Sequence, residues 1–131
     1  DIIEQKYGIP ITNRRIAITP ASILLEPLPR KISTAVRLAK ALDAAAKKAH
    51  IDFLGGFGAM VQKGMTAADE NLIDAIPRAL SETDRVCGFL NLASTVAGIN
   101  MNAVEKFGHT LKKLAANSKN GIGCAKIVTA F

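Results

Sequence analysis

Four apolar runs of strand length recur along this chain at near-equal spacing, and that rhythm limits its possible folds more than any single motif. Arg15 to Thr19, Ile51 to Phe57, Val86 to Leu92 and a run opening at Ala125 start 36, 35 and 39 residues apart. Each interval holds a segment long enough for a helix. Strands joined through a helix lie parallel, and such crossovers are right-handed in nearly all proteins. No residue-by-residue repeat accompanies the spacing, so the periodicity belongs to the architecture. The expected fold class is α/β, built of repeated β-α units with four mostly parallel strands. Spacing alone fits an open sheet and an arc of a barrel equally well.

Local chemistry fills in the elements. Pro20 ends the first strand because it removes a ladder donor, and Ala21 to Leu25 suits a short helix. The prolines of Glu26-Pro-Leu-Pro-Arg-Lys31 then block helix continuation. Ser33 is the expected N-cap of the next helix, with Ala35, Leu38, Leu42, Ala45 and Ala49 on its buried face and the Asp43–Lys47 pair on the opposite, solvated side. Thr66 and Asp69 have the spacing of a capping box. Leu72, Ile73, Ile76 and Leu80 form the stripe behind it, which Pro77 is expected to kink or split near Ile73. Asn102 with Glu105 opens a last helix whose face is Val104, Phe107, Leu111 and Leu114, and Gly121 and Gly123 lead into the fourth strand.

At 131 residues the chain has the size of one domain and can bury roughly two-thirds of its unfolded surface. Hydrophobic residues at 49% and charged ones at 21% place it among globular proteins rather than disordered ones. No apolar run approaches the ~20 residues of a membrane span. Lys and Arg outnumber Asp and Glu by 17 to 11, for a formal charge of +6. That surplus is spread as short pairs such as Arg14-Arg15 and Lys112-Lys113, with no Trp and one Tyr, so it reads as solvated helix faces and not as a nucleic-acid surface. Cys87 and Cys124 lie 37 residues apart, with no Cys or His at ligand spacing. They form neither a disulfide framework nor a metal site, which suits reduced thiols in the cytoplasm.

In parallel α/β folds, ligands bind where strands end, because the loops there are free of sheet geometry. That rule selects Thr19, Gly55, Gly56, Asn91, Ser94 and Thr95 as ligand-binding candidates, with Lys63, beside Gln62, placed to meet an anionic group. The simpler reading of Gly55, Gly56 and Gly58 is that they permit tight turns. Gly64 follows Lys63 directly, so Gly55 to Gly64 is no P-loop. Cys87 sits early in an apolar run, where a buried wall residue is the first reading and a nucleophile the second. His109 shares the Lys106 and Lys112 side of its helix, and His50 closes another, where partial positive charge suits the dipole. Neither has an orienting carboxylate near it in sequence. No cofactor or catalytic residue is named by these patterns.

Three strings occur together: Asn13-Arg-Arg-Ile-Ala-Ile-Thr-Pro20, Gly55-Gly-Phe-Gly-Ala-Met-Val-Gln-Lys-Gly64 and Gly98-Ile-Asn-Met101. With Ser81 to Cys87 and Ala41 to Ala46, they resemble the domain of unknown function 711 family, called PFL family proteins for a fold similar to the barrel of pyruvate formate-lyase. The resemblance covers nearly the whole chain and selects the barrel over the open sheet. It implies that the chain is one partial barrel domain, 1–131, and a fragment of a larger protein. It also implies an uncharacterised protein that binds a small metabolite, or acts on one, at the carboxyl ends of its strands. The alternative is a non-catalytic structural or regulatory module, since family members are often encoded beside a small ACT-domain protein, which then becomes an expected partner. The chain departs from the family pattern at Gly88, Phe89 and Val96, which weakens a polar or anion-binding role for the loop after Cys87. Glycyl-radical chemistry is not implied, because no glycyl-radical motif is present and fold does not fix function. An arc with unpaired edge strands is expected to form homo-oligomers.

Overall fold

The computed structural model describes residues 2–131. A short helix, α1 (Ile2–Tyr7), leads into β1 (Arg15–Ala17), α2 (Ala21–Leu25), α3 (Ile32–Lys48), β2 (Phe53–Met60), α4 (Ala67–Ser81) and β3 (Val86–Asn91). A small pair, β4 (Ala93–Ser94) and β5 (Gly98–Ile99), precedes α5 (Met101–Asn117), a 3₁₀ stretch at Lys119–Lys126 and β6 (Ile127–Ala130). The main sheet has the order β1-β2-β3-β6, and all of its pairings are parallel. The α/β class with four parallel strands is thus the observed architecture, compatible with an arc of a barrel. No described helix is long and apolar enough to cross a membrane.

Helices α3, α4 and α5 lie side by side, with α3 and α4 directly against one face of the sheet and α5 against α4 and the 3₁₀ stretch. Phe57 and Ala59 of β2 and Val86 and Leu90 of β3 meet Leu72, Ile73, Ile76 and Leu80 of α4 there, all essentially without solvent contact. Burying each large aliphatic or aromatic side chain contributes roughly 1.5–3 kcal/mol. No described helix covers the other face. Along β3 the burial alternates, so Cys87, Phe89 and Asn91 lie opposite the helix layer and are only half-buried. Phe53, Met60 and Val128 on that face are 40%, 53% and 64% exposed.

Several elements differ from expectation for identifiable reasons. Strand β2 starts at Phe53, not Ile51, because the Ile51 carbonyl accepts from Arg85 Nη1 at 2.7 Å and the Asp52 carboxylate accepts from the Arg14 amide at 2.7 Å. It then runs on to Met60, which places Gly55 and Gly56 inside the strand instead of at its carboxyl end. Helix α3 is flanked by Lys31 with no side-chain cap, so Ser33 is not the cap. Its buried face is Ala35, Val36, Ala39, Asp43 and Ala46, while Ala45 and Ala49 are exposed. The stripe is rotated because the turn before β3 needs an acceptor. Asp43, only 6% exposed, takes the Asp84 and Arg85 amides on Oδ1 at 2.9 and 2.7 Å. Lys47 still pairs with Asp43, at 2.8 Å.

Thr66 and Asp69 do form the capping box. Pro77 does not split α4, which runs unbroken from Ala67 to Ser81 with Pro77 buried in its packing layer. The cap of α5 is Asn100, whose side chain accepts from the Ala103 amide at 3.2 Å, and not Asn102.

Candidate functional site

The carboxyl ends of β1, β2, β3 and β6 form one rim. Register brings Met60 beside Asn91 and Asn91 beside Ala130, so three strand ends meet at Asn91. The Asn91 carbonyl accepts from the Val61 amide at 2.9 Å. Its carboxamide, oriented by the groups around it, donates from nitrogen to the Ala93 and Ala130 carbonyls at 3.0 and 3.3 Å. Ser94 lies in β4 and accepts the Ala97 amide on Oγ at 3.0 Å, which braces the hairpin rather than leaving the hydroxyl free. Thr95 and Val96 form the hairpin tip, Val96 being 91% exposed. Thr19 is exposed beyond the end of β1, and Lys63 is exposed in the turn after β2.

The structure therefore gathers Asn91 and Ser94 at one corner of the rim and leaves Thr19, Lys63 and Thr95 on loops around it. The principal clefts among the described residues take none of Thr19, Asn91, Ser94 and Thr95 into their walls. A small cleft at this end, about 170 Å³, lies beside α2 and the start of α4, with Pro20, Ser22, Met60, Thr66 and Asp69 in its wall. Asp69 already fills the helix terminus there, since its carboxylate accepts from the Thr66 amide at 2.9 Å.

Gly55 and Gly56 part company. Gly56 has φ +106°, and a Cβ on it would stand 2.5 Å from the Ile18 carbonyl oxygen and 2.6 Å from Ile18 Cγ1. The pairing register between β2 and β3 shifts at this point, between Leu54 and Phe57. The backbone of Gly56 is thus committed to β1 and to a bulge. Gly55 has ordinary backbone geometry, and a Cβ there would meet only the Ile16 carbonyl, at 3.8 Å.

Asn100 was the residue that pattern reading missed. Its Nδ2 donates to the Val61 carbonyl at 2.6 Å, its own amide donates to the Leu92 carbonyl at 3.0 Å, and its Oδ1 caps α5. One side chain thereby ties the loop after β2, the end of β3 and the start of a helix. The available signal was its place three residues before Ala103, which the neighbouring Asn102 masked.

The opposite rim carries most of the charged contacts. Lys47 bridges Asp43 and Asp84, the latter at 2.5 Å, and Arg85 donates to the Ala46 and Ile51 carbonyls at 3.3 and 2.7 Å. Burial alone would raise the Asp43 carboxyl, but Lys47 and the Arg85 and Asp84 amides outweigh it and hold the group below the usual carboxylate range. Burial pushes the Cys87 thiol up, against the pull of Lys126 and Arg15. His109 is solvated but, against expectation, has a carboxylate one helical turn back, Glu105 at 4.0 Å, and His50 adopts φ 55° just past the end of α3. No three His, Cys, Asp or Glu side chains come together as a metal set among the described residues.

A four-stranded parallel arc with one helix layer, one bare face and a loop-built carboxyl rim defines part of an α/β protein. The chain belongs to the family described as Uncharacterised ACR (DUF711), which it matches over residues 1–131. It is 51% identical over 128 residues to a UPF0210 protein of Syntrophotalea carbinolica, a match covering 96% of this chain and 28% of that one. A UPF0210 protein of Methanococcoides burtonii matches to the same extent. One of Methanocaldococcus jannaschii is 46% identical over 132 residues, covering 96% of this chain and 29% of its own. The chain thus spans less than a third of the length of the curated relatives it matches.

Proposed function

We propose that this chain is one wall of a larger, pyruvate formate-lyase-like α/β barrel, and that the intact protein binds a small metabolite at the carboxyl ends of the barrel strands. The observation that carries this reading is the bare face. Parallel sheets occur with both faces covered, and Phe53, Met60 and Val128 are far too exposed for a finished sheet. Relatives have more than twice as much further chain with which to complete a wall. Closure would turn the bare face inward and leave Asn91, Ser94, Thr95, Thr19 and Lys63 around the barrel mouth, where such folds hold ligands. In this reading Gly56 is a backbone requirement, and Gly55, near the start of β2, stands well below the mouth. Two free thiols suit a cytoplasmic setting.

The test is mass spectrometry of small molecules retained by the intact protein, repeated on Asn91→Ala and Lys63→Ala. A retained molecule lost in both variants supports the reading, and one retained equally by all three sinks it.

A second reading is a non-catalytic module whose bare face is covered by copies of itself or by a small ACT-domain partner. It is favoured by the failure of Thr19, Asn91, Ser94 and Thr95 to line a common cleft. Sedimentation of the intact protein, alone and with that partner, separates the two. A monomer that ignores the partner leaves only the barrel reading.

A further inference from the structure

The bare face is not uniform. At the amino-terminal end of the strands it holds a trough of about 620 Å³ that crosses the whole arc, lined by Arg15 and Ala17 of β1, Phe53 and Gly55 of β2, Cys87 of β3 and Lys126 at the entry to β6. Register explains the grouping, since Arg15 stands beside Phe53 and Ala17 beside Gly55. The Arg15 guanidinium lies 4.9 Å from the centroid of the Phe53 ring, and its Nε donates to Asn13 Oδ1 at 2.9 Å. That leaves the two terminal nitrogens of its planar fork uncommitted to any residue around them. The half-buried Lys126 donates to the Leu80 carbonyl at 2.6 Å and to the Thr83 carbonyl, which uses two of its three N–H groups.

Two cations thus border a trough whose wall contains no acidic residue. Among the described residues neither Arg15 nor Lys126 has a carboxylate within ion-pair distance. Both act electrostatically on the Cys87 thiol between them. A partly desolvated lysine with no carboxylate in ion-pair contact is costly, and burial pulls its pKa down against the opposing pull of Cys87, Asp43 and Asp84. An arginine stacked on an aromatic ring is a preorganised fork for a carboxylate or phosphate.

We propose that this trough binds a small organic anion, its carboxylate or phosphate held by the open fork of Arg15, with Lys126 adding positive potential from the far side, and its apolar body laid against Phe53 and Ala17. The site lies at the opposite end of the strands from the rim and does not rest on the function proposed for it. The same anionic chemistry could come from a free small molecule or from a carboxylate side chain of the remainder of the intact protein.

Cys87 supplies the reporter. In the intact protein, iodoacetamide alkylation of Cys87 is followed by peptide mass spectrometry at mildly alkaline pH, with Cys124 as internal control and benzoate as the probe. Benzoate is expected to slow Cys87 saturably and leave Cys124 unchanged. Neutral benzamide is expected to have no such effect, and inorganic phosphate to compete with benzoate. Arg15→Gln, at an exposed position, should weaken the protection about tenfold, the scale of one lost charge-assisted hydrogen bond. Equal protection by benzamide would reduce the trough to an apolar groove and overturn the proposal. Alkylation of Cys87 indifferent to benzoate would do the same. A Cys87 that stays unreactive without any added anion would mean that the rest of the chain fills the trough, which also overturns binding of a free anion.

Discussion

The two faces of the sheet are made from the same strands and could hardly differ more. On the helix side Phe57, Ala59, Val86 and Leu90 are sealed under α4, and on the other Phe53, Met60 and Val128 stand in solvent. Alternation along β3 assigns every second residue to each side, so one strand carries both a finished core and an unfinished one. The finished side tells how this segment holds together. The unfinished side is what the barrel proposal rests on, because apolar side chains on a parallel sheet are normally covered.

The sharpest way to break the comparison is at the glycines, where a single Cβ collides with the neighbouring stretch of chain on which both faces depend. A Cβ on Gly58 would overlap the Phe89 carbonyl and stand 2.6 Å from Phe89 Cδ1. Gly58→Ala, like Gly56→Val, should therefore separate β2 from its neighbours, and loss of cooperative thermal unfolding by circular dichroism is the expected result. Next in size is a matched pair. Ile76→Ala on the sealed side should cost about 2–5 kcal/mol in denaturant unfolding of the 131-residue chain. Val128→Ser on the bare side should cost about 0.5 kcal/mol or less there. The same Val128→Ser change should become several times more costly in the intact protein. If it stays as mild there, the face is open by design and the barrel reading is lost.

A smaller effect belongs to the braced amino-terminal rim. The Asp43 carboxyl is held below its ordinary 3.8, so its ionised form stabilises the fold at neutral pH, and that contribution disappears as pH falls through the lowered value. Asp43→Asn keeps an oxygen for the Asp84 and Arg85 amides but loses the Lys47 pair. It should cost about 1–2 kcal/mol at pH 7, with the gap from wild type closing well below pH 4. A gap that does not shrink in acid would show that the carboxylate charge is irrelevant. Smallest of all is Gly55→Ala, with a change within about 0.5 kcal/mol by thermal melt. A large loss there would erase the distinction drawn between Gly55 and Gly56.

Much of the architecture was legible in the residues. Strand-length apolar runs at near-equal spacing specify β-α units because a parallel crossover needs a helix, and Leu72, Ile73, Ile76 and Leu80 mark a buried stripe because 3.6-residue periodicity puts them on one side. The capping box at Thr66 and Asp69 is local chemistry and reads locally. What escaped was set by partners distant in sequence. Asp43 turned inward because two amides about forty residues away needed an acceptor, and that rotated the whole face of α3. Gly55 and Gly56 look alike in the sequence and differ because only Gly56 faces Ile18 across the sheet. Asn100 became the clamp of the carboxyl rim because the Val61 carbonyl came within its reach. Propensity and periodicity act over a few residues, so the sequence alone indicated the four main strands and the helices between them, while α1, the β4–β5 pair and the 3₁₀ stretch that delays β6 from Ala125 to Ile127 went unread. Which atoms meet across the sheet, and which of its faces remains bare, was decided only when the strands were brought into register.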